Sequence, residues 1–519
     1  MSVFAKIEKG RYMDSLETLF AATVLNGCDG VATGYVGMAT EAFKAELSAA
    51  ALLTDEIQAC TANDAVIVAA CDTRAAFEAA VADVLANAIP AEEAEEEETF
   101  VSTKAAVKKH PEANLCAIAV PGEYALSEVK KALNLGLHCV VFSNNVPLEQ
   151  EREMKELARE KGLLCMGPDC GVANIDGAAL VLSSINNRGP FGICGASGTG
   201  IQHVAAIMHE AGTGVSQTIG TGGNDCKDPV GGIMMLMGID ALEADPETKY
   251  IALITRKPGE TVLPKVFARI KTCKKPVVAL LMGCDRETVE ASGAIYADSL
   301  DDCALKCLAL VGIDYPLASE AELQEIAAEE VKKLAPEQKY LRGMYSGGTY
   351  MDEAAHAMVQ RIGRINSNCP LEPEWKLKDS YVSVENTCID YGEEEFTLGR
   401  PHPAIDPGIR RPAILREAAD PEVAVITMDF ILTPPGHMDP TGYVLEDVKM
   451  AQQMAEAEGR HLIFIASVLG TTADLQDMAV QRRQLKNAGV IVCQTNYRAA
   501  VLAGEIIRQK KEMDAHGMQ

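Results

Sequence analysis

PFGICGASGTGIQHVAAIMHEAG, from Pro190 to Gly212, reads in three pieces. Pro190 to Cys194 is a short apolar run of strand type. Gly195-Ala196-Ser197-Gly198-Thr199-Gly200 is dense enough in glycine to force a tight turn. From Ile201, apolar residues recur at helical spacing through Val204, Ala205 and Met208, and Gly212 supplies a C-cap. A strand, a glycine turn and a helix start aim backbone N–H groups and a positive dipole end at one spot. The spot suits an anion such as a phosphate or an acyl phosphate. The alternative is a sharp βα turn whose glycines serve close packing. IGTGGND, from Ile219 to Asp225, echoes the pattern and adds Gly222, Gly223 and Asn224 to the candidate anion site.

Outward from this stretch, strand-like and helical segments alternate. DAVIVAA (Asp64 to Ala70) is a buried strand, followed by a helix from Thr73 to Ala88. Ahead of it, a helix is expected from Leu16 to Leu25, with Tyr12, Asp14 and Ser15 as a capping or site cluster. LCAIAVP (Leu115 to Pro121), HCVVFSNNVP (His138 to Pro147) and LLCMGPDCG (Leu163 to Gly171) form a second strand series. Alternation at this spacing implies a parallel sheet with ligands at the strand C-termini. That places Pro121, Gly122, Ser143, Asn144, Asn145 and Asp169 on one rim, a candidate surface for a nucleotide or CoA-like ligand. YIALITR (Tyr250 to Arg256) and PVVALLMG (Pro276 to Gly283) continue the third series. YLRGMYSGGTYMDEAAHAMVQRIG (Tyr340 to Gly363) repeats the opening theme, with Ser346, Gly347, Gly348 and Thr349 in the turn. VAVITMDF, HLIFIAS and GVIVCQTN supply its later strands. The expected fold class is α/β, several doubly wound Rossmann-like or flavodoxin-like parallel-sheet domains in one chain. The expected boundaries are 1–90, an acidic linker at 91–99, 100–187, 188–318, a helical connector at 319–338, and 339–519.

Composition narrows the function classes. A chain of 519 residues with 48% hydrophobic and 23% charged content is expected to form several globular domains. A net charge of −27 argues against nucleic acid or an anionic membrane as partner. The N-terminus lacks the apolar core of a signal peptide, and no apolar run reaches membrane-spanning length. None of the 16 cysteines forms a C-x-x-C pair, so they read as small buried hydrophobes in a reducing cytoplasm, with no metal site expected. Gly195 to Thr199 is not G-x-S-x-G, and neither G-x-G-x-x-G nor G-x-x-x-x-G-K-[ST] occurs. The loops PHPAIDPG and PPGHMDPTG make His402, Asp406, His437 and Asp439 site candidates. In the alternative, the aspartates cap helices and the histidines pack against prolines.

The motifs MGPDCGVANIDG, GPFGICGASGTG, IGTGGND, SGGTYMDEA, GRPHPAIDP, EAADPEVAVITMDF and GHMDPTG, in this order, resemble the FdrA family, a branch of the succinyl-CoA synthetase superfamily. The likeness to FdrA covers nearly the whole chain. That to the synthetase covers roughly Val101 to Asp314 and Lys339 to Arg508. The resemblance implies the ligase domain of an α subunit and the C-terminal domain of a β subunit, fused in one polypeptide. In the synthetase, a helix N-terminus from each of the two subunits helps to cradle a phosphohistidine. The matching turns here are Ser197-Gly198-Thr199 and Ser346-Gly347-Gly348.

The departures are specific. Where the synthetase has Gly-His-Ala-Gly-Ala-Ile, this chain has Glu290-Ala291-Ser292-Gly293-Ala294-Ile295, so Ala291 stands in the histidine's place. Arg256 replaces the carboxylate that supports that histidine. These two changes together predict a free phosphate or acyl phosphate held by two helix dipoles and a cation. Residues 1 to 99 replace the first glycine-rich half of the CoA-binding domain, and nothing resembles an ATP-grasp domain. The resemblance to FdrA implies a cytoplasmic subunit of an oxamate carbamoyltransferase-type enzyme of ureide (allantoin) breakdown. It would act in an oligomer with companion subunits and exchange carbamoyl between oxalurate and phosphate, giving oxamate and carbamoyl phosphate. Arg256, His402 and His437 are its candidate catalytic residues. The superfamily implies an acyl-CoA synthetase using a carboxylate and CoA as the alternative. A non-catalytic scaffold is the third reading.

Overall fold

The computed structural model describes the chain apart from residues 1, 12, 14–17, 19–20, 23, 27, 29, 41–42, 45–46, 49, 88–97, 398–400 and 518–519, and the side chains of 86, 87, 394, 516 and 517. Tyr12, Asp14, Ser15, much of the expected 16–25 helix and most of the 91–99 linker therefore lie outside the described residues. The chain divides into two units, Met1–Val101 and Ser102–Gln519.

In the first unit, β1 (Ser2–Glu8), β2 (Val31–Met38) and β3 (Ala65–Cys71) form an antiparallel sheet in the order β1-β3-β2. β3 is buried on both faces. Ala65, Ile67 and Ala69 pack under the helix Arg74–Asn87, while Val66 and Val68 pack with Leu47, Leu52 and Ile57. Antiparallel pairing makes this an α+β unit, where the sequence of residues 1–90 allows α/β or α+β. β2 is hard to see in GVATGYVGMAT because of its glycines. Each is required: a Cβ at Gly34 would stand 2.6 Å from Leu25 Cδ2, and one at Gly37 2.6 Å from Phe43.

The second unit begins with a parallel sheet of β4 (Leu115–Ile118), β5 (His138–Val141) and β6 (Cys165–Met166). A seven-stranded sheet follows, built from β7 (Val172–Ile175), β8 (Ala178–Val181), β9 (Arg188–Gly195), β10 (Val215–Gly220), β11 (Tyr250–Arg256), β12 (Val277–Met282) and β13 (Ile295–Tyr296). Its order is β13-β12-β11-β9-β10-β7-β8, with β7 antiparallel to both β8 and β10 and the rest parallel. Asp176 and Gly177 turn the β7–β8 hairpin with φ of 51° and 87°, the left-handed pair an Asp-Gly hairpin turn needs. The expected 100–187 stretch thus contributes to two sheets. The last sheet holds β14 (Tyr340–Tyr345), β15 (Asn366–Ser367), β16 (Thr387–Asp390), β17 (Val423–Ile431), β18 (Ile463–Leu469) and β19 (Ile491–Cys493). It is wholly parallel, in the order β15-β16-β14-β17-β18-β19. The fold class is α/β with several parallel-sheet, Rossmann-like domains.

β9 and β14 are each flanked by a strand from either winding direction. Each marks the point where its sheet reverses, and ligands of such folds sit beyond the strand ends there. Both strands run into a glycine turn and a helix, Gly198–Glu210 and Gly348–Ile362. The two helices share one apolar core with Leu300–Leu310 and Asn496–Gly517. Buried polar bonds register them. His203 Nδ1 lies 2.6 Å from Tyr350 OH and its Nε2 3.0 Å from Asp301, which also accepts from Thr495 and Arg498. Glu353 accepts from Leu300 N and Asn496 Nδ2. Among the described residues, no helix is long and apolar enough to cross a membrane.

Lys155, on the helix Leu148–Lys161, is fully buried between Glu151 (2.6 Å) and Asp225 (2.9 Å) and donates to Thr221 O. Burial opposes its charge, but Asp225 and Glu151 outweigh that and hold its pKa above the ordinary value. Asp225 in turn accepts from Met234 N and Met235 N at the head of the helix Ile233–Ala244. One ammonium thereby pins the loop after β10 to the preceding sheet. Lys155→Met would leave two carboxylates buried and uncompensated, at a cost of about 3–5 kcal/mol. Urea unfolding of the Ser102–Gln519 unit is expected to show that loss, and Arg152→Ala in the exposed pair with Glu156 none.

Candidate functional site

The helix ends after β9 and β14 meet. Ser197 caps the first helix, its Oγ accepting from Gly200 N at 3.0 Å, and the same Oγ lies 2.8 Å from Thr349 Oγ1. Gly347 caps the second helix and offers no side chain to its free N–H groups. A Cβ on Gly347 would stand 2.7 Å from Thr199 Oγ1, so glycine is what lets the two ends approach. A cavity of about 700 Å³ opens over them, lined by Ser197, Gly198 and Thr199 on one side and Gly347, Gly348 and Thr349 on the other. Helix N-termini carry roughly half a positive charge each, with unpaired N–H donors.

Three cations join them on the cavity wall: Lys227, Arg256 and Lys257. Arg256 ends β11 and reaches Gly348 O at 3.4 Å and Asp352 at 4.0 Å, contacts loose enough to leave its guanidinium available. The loop after β10 also contributes Gly223 and Asn224. Gly222 serves the turn instead, with φ of 84° and its α-carbon against Pro168 O.

The end of β16 and the loop after it also line the cavity, with Asp390 next to Gly348. Asp390 is buried, with Oδ1 accepting from Gly392 N at 2.8 Å, and burial pushes its pKa up to about 7. Asp169 also faces the cavity; its side chain is solvent-exposed there, and desolvation by the surrounding walls pushes its pKa up to about 6. Cys369, Asp390 and Glu393 bring three potential ligand atoms within 4.8 Å of one another, the one such group among the described residues. Burial raises the Cys369 thiol to about 12, so it keeps its proton near neutral pH.

Several expected residues stand elsewhere. Ser346 does not line the cavity, because its N and Oγ both donate to Asp429 Oδ1 at 2.8 Å. Asp429 is bound from behind by the buried Arg410, so Ser346 braces the turn. His402 lines the cavity and His437 does not. His437 Nδ1 accepts from Asp439 N, and its ring packs 4.8 Å from Tyr443. Asp406 and Asp439 accept from Gly408 N and Gly442 N, which is the capping alternative. Of the rim set, Asp169 alone reaches the cavity. Pro121 caps the helix Gly122–Asn134, Gly122 packs on Asn144 O and Asn145 O, and Ser143 O accepts from Asp169 N. Ala291 lies exposed at the end of the helix Arg286–Glu290, outside the cavity lining. Sequence reading missed Lys227, Asp228, Asp390, Gly392 and Glu393. The polar runs NDCKDP and DYGEEE, just beyond strands, were the signal available for them.

A CoA-ligase family model matches residues 344–506, and a model described as the heavy metal-associated domain of AllF matches residues 1–105. Among the described residues of Met1–Val101, no three His, Cys, Asp or Glu ligand atoms gather, and Cys60 and Cys71 are buried with their thiols pushed up by desolvation. The described residues there do not form a metal cage. The α1 subunit of the ADP-forming succinate–CoA ligase of Archaeoglobus fulgidus is 30% identical over 33% of this chain and 58% of its own length. The ATP citrate lyase of Methanothrix soehngenii, solved with citrate and coenzyme A, aligns over 80% of this chain and 86% of that one at 15% identity and a TM-score of 0.35. A protein of Escherichia coli K12 described as uncharacterized protein YahF is 41% identical over 99% of this chain and 100% of its own. The chain therefore belongs to the YahF family and is homologous to the α subunits of succinate–CoA ligases.

Proposed function

We propose that this chain carries out acyl-CoA ligase-type acyl transfer through an acyl phosphate bound between its two helix N-termini, without a histidine phosphate carrier. The observation that carries the reading is the Ser197–Thr349 contact, which puts two positive helix ends and Arg256 on one cavity. A phosphate oxygen attacks the acyl carbonyl carbon, the carbonyl pair moves onto oxygen, and the leaving group departs with its bonding pair as the carbonyl re-forms. The N–H groups of both helix ends and the three cations hold the phosphate and the developing charge. CoA, where it is the acceptor, would lie along Pro121, Gly122, Ser143, Asn144 and Asn145 toward Asp169. Ser143 Oγ, buried without a partner, is the group left there to meet it.

A second reading keeps the site and changes the acyl group. Carbamoyl transfer from oxalurate to phosphate, as the FdrA-like motifs imply, breaks a C–N bond whose nitrogen must leave with a proton. Asp390, buried on the cavity and protonatable near neutral pH, is the specific observation that favours it. Glu123 and Glu149 add to it, since acids in the first turns weaken those two helix ends for a pyrophosphate. Companion subunits belong to this reading.

Phosphate with succinyl-CoA, read as thiol release, and phosphate with oxalurate, read as carbamoyl phosphate, separate the two. Gly198→Glu places a carboxylate among the helix N–H groups and Arg256→Glu reverses a cavity charge. Each is expected to lower turnover at least about 100-fold. Normal turnover in both variants sinks the site assignment.

The acids on the cavity predict a pH dependence with a definite sign. Asp390 and Asp169 are neutral below about 7 and about 6, and charged above. Sulfate, which does not titrate in this range, is expected to bind about tenfold more weakly at pH 8 than at pH 5.5. Calorimetric titration of Asp390→Asn should show most of that dependence gone, with the tighter binding retained at pH 8.

A further inference from the structure

His402 opens the 402–406 turn and lays its ring beside Gly392. Its Nδ1 accepts from Ala404 N at 3.2 Å, so the hydrogen of the neutral ring resides on Nε2. Nε2 lies 3.1 Å from the place a Gly392 Cβ would occupy, and Asp390 Oδ1 is equally close to that place. His402, Gly392 and Asp390 all line the cavity, and no hydrogen bond takes up Nε2 among the described residues. Burial first, and the Arg410 charge second, push the ring down to about 4, so it stays neutral at ordinary pH.

We infer that His402 is a hydrogen-bond donor to the carbonyl oxygen of the acyl phosphate held at the paired helix ends, and is not a phosphate carrier. This rests on the acyl-phosphate reading above and gives one wall of that site its role. A neutral imidazole attacks phosphorus through the nitrogen that keeps its lone pair. Here that nitrogen is Nδ1, turned to the Ala404 backbone, while Nε2, beside Gly392, holds the hydrogen. His402 therefore does not replace the histidine missing at Ala291. What it presents is an N–H on the cavity wall, beside Gly392 and Asp390. As the phosphate oxygen bonds to carbon, the carbonyl pair moves onto oxygen and His402 Nε2–H bonds to it without transferring its hydrogen. The pair returns when the leaving group departs. A donor that strengthens its bond as charge develops favours the transition state over the ground state. Gly392 is the companion requirement, since any side chain there would displace the ring.

The full chain, titrated calorimetrically with inorganic phosphate and with acetylphosphonate, a stable acyl-phosphate analogue, tests the assignment. His402→Leu is expected to keep phosphate affinity within about threefold and to lose about tenfold for acetylphosphonate, the worth of one hydrogen bond. His402→Gln, which restores a donor, should recover most of that loss. Equal losses for both probes in His402→Leu would make His402 a structural residue. Unchanged acetylphosphonate affinity, or a phosphohistidine at 402 found by mass spectrometry after incubation with acetyl phosphate, also overturns the proposal while leaving the anion site standing. If the unmodified chain binds neither probe, the anion site itself falls and this assignment falls with it.

Discussion

Two helix ends of the same sign are held in contact at Ser197 and Thr349, and much of the second unit exists to keep them there. Each N-terminus carries roughly half a positive charge, so their approach is unfavourable until something negative offsets it. Asp429 supplies one offset by taking both donors of Ser346, and Asp390 stands close behind Gly348. Asp390 is itself only partly ionised near neutral pH, because burial raises it to about 7. The two helix ends face the cavity together with Lys227, Arg256 and Lys257, alongside the acids Asp169, Asp228, Asp390 and Glu393, and a helix N-terminus is complemented by an anion.

Maintaining that arrangement takes buried polar bonds that bridge sequence-distant helices. His203 joins the two converging helices through Tyr350 and reaches Asp301, which Thr495 and Arg498 tie to the C-terminal helix. Lys155 does the equivalent for the loop after β10, which brings Asn224 and Lys227 to the cavity. Apolar packing alone would allow the helices to slide. Fully paired polar groups in a low-dielectric interior specify one register, because any slip leaves them unsatisfied.

The same geometry explains why losing a carrier histidine and gaining Arg256 go together. Ala291 is exposed at a helix end outside the cavity lining, so on the proposed reading a bound phosphate meets no carrier at that position. A cation at the end of β11 then complements a bound anion where a carboxylate would repel it. Asp390 and Arg256 flank Gly348, and Gly392 and His402 continue the lining beyond Asp390, so acid, cation and imidazole share the cavity at the second helix end.

Glycine placement and apolar periodicity, both local properties, were enough to read the strands after which the helix ends emerge. Tyr250–Arg256 is legible to the residue for the same reason. The antiparallel sheet of the first unit was not, because β2 trades side chains for room beside Leu25 and Phe43. Neither was the β7–β8 hairpin, although its Asp-Gly turn is visible in the sequence. Which polar residues face the cavity was decided only by the tertiary structure. Ser346 looks like its counterpart Ser197 until Asp429, 83 positions away, claims its hydroxyl. His402 and His437 sit in similar proline-rich loops, and one faces the cavity while the other packs on Tyr443. Thus the sequence alone determined that two glycine turns would each present a helix N-terminus. That the two ends meet, and what stands across from them, depends on contacts between distant segments, which no local pattern encodes.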